Sequence, residues 1–280
     1  MTAAVRPSFN WRRWRLVVTG GTIVGVILLL AIFAPWVAPY SPLDLDVAQM
    51  LKGPSAAHWL GTDELGRDVL SRVIHAARLS MMVAVLASLV GLVFGTLIGT
   101  LAAYFGGVVD LVLMRLMEIL FSFPAILLAI VLMASLGTSV FNAMIAIGII
   151  FIPGFARLAR ATAEGVLRQQ YVEQARAIGM SHMRILTREI LPNIVAPLLV
   201  EAAVAFSYAV LLESALSFLG LGAQPPDPSW GNMLNTGRGF MAQAPWLSIV
   251  PGAAIFLTVL GFNMLGDGLR DAFDPHLRDE

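Results

Sequence analysis

Leu79–Tyr104 reads LSMMVAVLASLVGLVFGTLIGTLAAY, and no charged side chain falls between Arg78 and Asp110. As an α-helix this stretch is about 39 Å long, enough to cross the roughly 30 Å hydrocarbon core of a bilayer. Unpaired backbone amides are too costly in that medium, so the segment must be helical. The whole chain shares this character. It is 58% hydrophobic and 13% charged, against about 25% charge in an average soluble domain, and its mean hydropathy is +0.80. Net charge is zero and there is no cysteine. Nothing in the charge balance draws the chain to nucleic acid, and the lack of cysteine excludes disulfides and thiolate metal sites.

Charged residues divide the sequence into six spans. Val17–Trp36 is the first, reached from the basic start MTAAVRPSFNWRRWR. The apolar run Leu16–Leu43 is longer than the 7–15-residue core of a cleaved signal, and Trp36 and Tyr40 suit an interfacial aromatic belt, so it reads as a retained span. Leu79–Tyr104 is the second. The uncharged run Ile119–Ala156 would be about 57 Å long as one helix, so it divides at Leu136-Gly137-Thr138 into a third and a fourth. Ile194–Leu219 and Trp246–Leu265 complete the set. The expected fold is all-α: a polytopic membrane protein of six transmembrane helices.

Basic residues orient it. With the N-terminus inside, the inner segments hold Arg6, Arg12, Arg13, Arg15, Arg115, Arg157, Arg160, Arg168, Arg176, Arg184, Arg188, Arg270 and Arg278. The outer segments hold Lys52, Arg67, Arg72, Arg78 and Arg238. The positive-inside rule then places both termini in the cytoplasm. Residues 1–16 form a cytoplasmic segment and 17–280 one membrane domain. That domain has outer segments at 38–78 and 220–245 and an inner loop at 157–192.

The inner loop is the most informative. Between Arg157 and Pro192 stand six arginines and three glutamates. Gly179 separates two short amphipathic stretches, one carrying Val166, Tyr171, Ala175 and Ile178, the other Met180, Met183, Ile185 and Leu186. A glycine there permits positive φ between two helices, and Pro192, lacking an amide hydrogen, fits the first turn of the next span. A helix–turn–helix beneath the membrane is expected. The plain alternative is an inner loop that is basic only because inner loops are.

Spacing separates the two readings. Glu173-Gln174-Ala175, three residues, Gly179, nine residues, then Glu189-Ile190-Leu191-Pro192 resembles the coupling-loop motif of the membrane subunits of bacterial ABC importers. Gln174 departs from the family's first alanine and Glu189 from its isoleucine. The likeness extends along the chain. His58–Arg72, HWLGTDELGRDVLSR, resembles the segment after the first span of dipeptide, oligopeptide and nickel importer permeases. Ser217–Pro226 with Pro228–Gly231, and Gly266–Pro275, resemble later segments of that family. The match is to the shorter, C-type subunit, in the dipeptide, oligopeptide and glutathione group. Several consequences follow from the resemblance. The chain would be one of two permeases forming a pore in the bacterial cytoplasmic membrane, surrounded by membrane lipid. Two separate ATPases would dock on Glu173, Ala175, Gly179, Leu191 and Pro192. An extracytoplasmic substrate-binding protein would deliver short peptides or glutathione. Nickel or another small solute is the alternative cargo.

Other chemistries find less support. A P-loop needs Gly-x-x-x-x-Gly-Lys-Ser/Thr, and the one lysine, Lys52, lies between Leu51 and Gly53. Intramembrane proteolysis needs paired nucleophile and base, paired aspartates or a metal motif. None of His58, His75, His182 and His276 lies inside an expected span, and Asn263–Asp267 lacks a second membrane aspartate. No catalytic, cofactor-binding or metal-ligating set is expected. An ion-coupled carrier would place ionisable groups mid-membrane. Glu201 and Glu213 lie in the fifth span. Glu201 reads as a residue near the inner interface. Glu213, in the outer half, either lines a polar path or packs against the outer segment. Arg115 and Glu118 suit a local ion pair. Gly91, Gly95 and Gly99 form a small-residue ridge for helix packing, and Pro124 and Pro153 are expected to kink their helices.

The purified chain on its own should neither bind nor hydrolyse ATP. Saturable nucleotide binding with turnover by the isolated protein would contradict the division of labour read here.

Overall fold

The structure is a computed structural model that describes residues 11–273. Arg6, His276, Arg278 and the end of the Gly266–Pro275 segment lie outside these residues, as do the side chains of Arg12 and Arg13. The principal helices are α1 (Trp11–Ile32), α2 (Val69–Phe105), α3 (Gly107–Phe121), α4 (Ala125–Leu136), α5 (Val140–Leu167), α6 (Gln170–Ala177), α7 (Leu191–Phe218), α8 (Trp230–Gly237) and α9 (Trp246–Phe273). Among the described residues five helices are long and apolar enough to cross a membrane. They become six spans when α3 and α4 count as one.

That third span differs from the expectation of one run through Ile119–Leu136. Ile119–Phe121 end α3, and α4 leaves at 91° to it. Pro124 supplies the reason. It offers no amide hydrogen to a continuing helix, and its ring disfavours helical geometry at Phe123. Pro124 instead starts α4 with φ −57° and ψ 127°. At twelve residues, α4 is only about 18 Å long and cannot cross alone. By contrast α5 runs unbroken through Pro153 to Leu167, so Arg157 and Arg160 sit on the helix rather than in a loop. Its start is fixed by Ser139, whose side chain accepts from the Asn142 amide.

The α2–α5 pair is the scaffold. A Cβ at Gly91 would lie 2.5 Å from that of Phe151, and one at Gly95 2.5 Å from that of Phe155; at Gly99 it would run into the Ala156 carbonyl. The expected small-residue ridge is thus where the two backbones meet. The pair α1–α9 packs beside it, and α7 closes the bundle against α2, α5 and α9. Ser207 on α7 donates to Asn263 Oδ1 on α9 at 2.9 Å.

At one end the segments 38–78 and 220–245 fold together as a cap. The charges of Thr62–Arg72 are consumed internally. Asp63 takes Arg67 Nε at 2.7 Å and faces Arg72 Nε at 3.3 Å, and Arg67 also reaches Glu64 at 3.0 Å. Asp68 caps α2 by accepting from the Ser71 amide at 2.8 Å, and His58 Nδ1 lies 2.9 Å from its other oxygen. Trp230 of the second segment and Trp246, the first residue of α9, donate their indole hydrogens to the carbonyls of Val73 and Thr62, stitching both to the first segment and the start of α2. Tyr40 also belongs to this cap, its ring 4.9 Å from that of His58 and tilted to it by 36°. Helix α2 starts at Val69, well before the expected Leu79, because its first turns are part of the cap.

Gly95→Leu should disrupt the scaffold. Overpacking a tight contact costs about 1–3 kcal/mol or more, so the detergent-purified variant should aggregate at a lower temperature than the parent. An unchanged melting profile would mean α2 and α5 are not in contact there.

Candidate functional site

At the end opposite the cap, residues 157–192 build a compact surface. Helix α6 closes on two backbone hydrogen bonds, Met180 N–H to Ala175 O at 3.0 Å and Gly179 N–H to Arg176 O at 3.0 Å. This is the paired pattern of a glycine-terminated helix. It requires the positive φ expected of Gly179, and φ is +77°. No atom lies within 4 Å of a Cβ placed there, so backbone conformation alone selects glycine.

The second limb is not a separate helix, as the helix–turn–helix reading supposed. His182–Arg184 is helical, Ile185–Ile190 forms a π-helical turn, and α7 follows at once. In the π turn the Leu191 amide donates to Leu186 O, five residues back. Such a turn widens the helix locally, which accommodates Pro192, whose ring would clash with a carbonyl in an ordinary α-helix. One continuous helical rod therefore joins the loop to the bundle.

The burial pattern divides the expected coupling residues. Val172, Ala175, Ile185, Ile190 and Ile194 are buried together with Ala163 of α5. Ala175 thus faces the bundle and holds α6 in place. Glu173, Gly179 and Pro192 are exposed, and Leu191 is half-buried. Tyr171 and Ile178, placed by sequence on the apolar face, instead point outward; Ile178 is 78% exposed. The loop is tied to α2 as well. Tyr104 and His182 share a 2.6 Å hydrogen bond, and the Arg176 guanidinium lies over the Tyr104 ring. Nearby, Arg160 on α5 donates to Asp110 on α3, its second contact at 2.7 Å, and also reaches Glu164 at 2.9 Å. Arg157 sits 3.6 Å above the Phe121 ring at the α3–α4 bend. The expected Arg115–Glu118 pair forms at 2.9 Å on the exposed face of α3.

A groove of about 350 Å³ opens between the α3–α4 bend, α5 and α7. Phe121, Phe123, Leu128, Gly154, Glu201 and Tyr208 are among the residues that line it. Its one carboxylate is Glu201, from the middle of α7. Glu213 lies elsewhere: it is 1% exposed and accepts from Ser80 Oγ of α2 at 2.9 Å and Ser217 Oγ at 2.7 Å. Its side chain is part of the α2–α7 packing and does not face the groove. The four-residue spacing to Ser217 was available from sequence; the partner Ser80 was not. The groove itself also escaped the sequence reading, because it depends on the 91° bend. Among the described residues no group of three or more His, Asp or Glu side chains could hold a metal.

This is the architecture of a polytopic permease whose transmembrane helices end in an exposed loop. Residues 91–279 match the family described as binding-protein-dependent transport system inner membrane component, and residues 10–54 match the N-terminal transmembrane domain of oligopeptide transport permease C. The dipeptide transport system permease protein DppC of Alkalihalophilus pseudofirmus is 45% identical over 94% of this chain and 87% of its own length. The glutathione transport system permease protein GsiD of Escherichia coli is 46% identical over 96% of this chain and 90% of its own. Among solved structures, an inward-facing MetNI methionine ABC transporter superposes with a TM-score of 0.60 over 73% of this chain and 98% of that one, at 15% identity. The chain belongs to the binding-protein-dependent transport family: it is a multi-pass ABC transporter permease subunit and not an enzyme.

Gly179→Ala should weaken the turn, since a left-handed conformation costs a residue with a Cβ about 1–2 kcal/mol. Gly179→Pro should abolish it, because proline fixes φ near −65° and removes the N–H given to Arg176. Protease sensitivity at 176–182 should rise in the order glycine, alanine, proline. Equal sensitivity would contradict the turn.

Proposed function

We propose that this chain is one of two permeases in a bacterial importer of short peptides, glutathione included. Both termini and the 157–192 loop face the cytoplasm, and the cap faces a substrate-binding protein outside. Two ATPases dock on the exposed surface around Glu173, Gly179 and Pro192, with Ala175 and Leu191 holding that surface from beneath. The observation that carries the reading is the unbroken rod from His182 to Phe218. A displacement of the loop is carried toward Glu201 and Tyr208 along one helix, which continues through its π turn and through Pro197 with no intervening loop. ATP-driven closure of the ATPases would in this way reshape the groove, which is a hinge-and-shear mode of alternating access. The names of the curated relatives support the cargo.

A short peptide carries an ammonium and a carboxylate. Glu201 offers the groove a partner for the first, and an unpaired charge in the membrane is otherwise expensive. Glu213, read from sequence as a path residue, contributes to the path only if it leaves its serine partners during the transport cycle.

Two experiments test this reading. The lack of cysteine makes thiol labelling clean: on intact cells an impermeant reagent should label Asp227→Cys, at an exposed position of the cap, and spare His182→Cys, and the reverse would invert the topology. In the assembled transporter, Glu201→Gln should lower dipeptide uptake about tenfold, in line with the loss of about 1.4 kcal/mol. Glu213→Gln should change uptake less while assembly persists. Full uptake in Glu201→Gln would remove this carboxylate from the path.

A further inference from the structure

We propose that the furrow between the second half of α2 and the start of α7 binds one anionic phospholipid of the cytoplasmic leaflet. The acyl chain would lie in the furrow, and the phosphate on Arg184 and Arg188. The proposal rests on the orientation given above, in which the loop is cytoplasmic.

The furrow encloses about 490 Å³, and its walls include Leu97, Thr100, Leu101, Met183, Thr187 and Leu191. Along α2 it runs from Leu92 to Leu101, about 14 Å, which is close to the depth of one leaflet's hydrocarbon. It is distinct from the Glu201 groove: the two share no lining residue. Much of the wall is open, with Leu97 half-exposed and Met183 69% exposed. An acyl chain needs such an open, apolar slot.

A further observation points to a headgroup at its lower end. There stand Arg184 and Arg188, four apart on the rod that forms the other wall, both exposed. Neither has an ion pair among the described residues, and Glu189 pairs with neither. Tyr104 and Phe105, in contact with His182, mark the aromatic interface at this level. Basic residues next to an apolar slot at the inner membrane surface suit an anionic headgroup.

The test uses the complete transporter, reconstituted in nanodiscs of phosphatidylcholine with one-tenth phosphatidylglycerol, extracted into mild detergent and weighed by native mass spectrometry. The parent should retain one phosphatidylglycerol in preference to phosphatidylcholine. Arg184→Gln/Arg188→Gln should reduce retention about thirtyfold, and Leu97→Trp, which fills the slot, should reduce it without touching the charges. Equal retention in parent and variants would overturn the proposal. So would loss of the ATPases from the double variant with lipid retention intact, since the arginines would then serve protein docking. Cross-linking of a Leu97→Cys variant to the second permease would likewise assign the furrow to a protein partner. If the double variant fails to assemble, Leu97→Trp decides the matter by the same readout. Lipid retention is read without any label on the membrane faces, so a failure of the topology appears only in the thiol-labelling experiment.

Discussion

The close contact of α2 with α5 sets the geometry of everything else. Gly91, Gly95 and Gly99 bring the two backbones together where any side chain would hold them apart. In lipid there is no hydrophobic drive between helices, so dense packing of this kind is a principal source of association. One end of α2 emerges in the cap, where Asp68 fixes its first turn. The other end carries Tyr104 to the loop, where it meets His182. Helix α5 ends in the same loop and supplies Ala163, against which Val172 and Ala175 are buried. Cap and loop are held at fixed separation by a single helix pair.

The second consequence is mechanical. A loop that only touched the bundle could move without effect. Here the π turn lets Pro192 be absorbed without breaking the helix, so the loop's second limb is the beginning of α7 itself. The sharp break in direction lies elsewhere, at the 91° α3–α4 bend, where Phe121 and Phe123 line the Glu201 groove. A helical lever that ends beside a bent helix can open and close a path through a change of shape at the bend.

Much of this was legible in the sequence. Long uncharged runs read as spans because lipid tolerates only internally bonded helices. The glycine ridge read as packing, and Gly179 read as a positive-φ turn, because each depends on local chemistry. The resemblance of His58–Arg72 to a permease segment was visible too, though not its physical cause: its carboxylates and arginines neutralise one another inside the cap. What escaped depended on contacts between distant elements. Pro124 was expected to kink a span, but the size of the bend and the groove beside it depend on how α3 is anchored by Arg160 and Arg157. Proline at position 192 suggested a fresh helix start, because a π turn leaves no clear composition signal. Glu213 left a path role and a packing role open, since a carboxylate in a span is rare; its hydrogen bond to Ser80, far away in sequence, places it in the α2–α7 packing.

The central claim is that the outward face of α6, and not its inward face, is the docking surface for an ATPase. A photo-activated cross-linking side chain at Ile178 tests it directly in the assembled transporter. The account predicts efficient capture of the ATPase subunit from position 178 and none from Asp227, exposed on the cap. Capture from Asp227, or an Ile178 adduct with lipid alone, would contradict it.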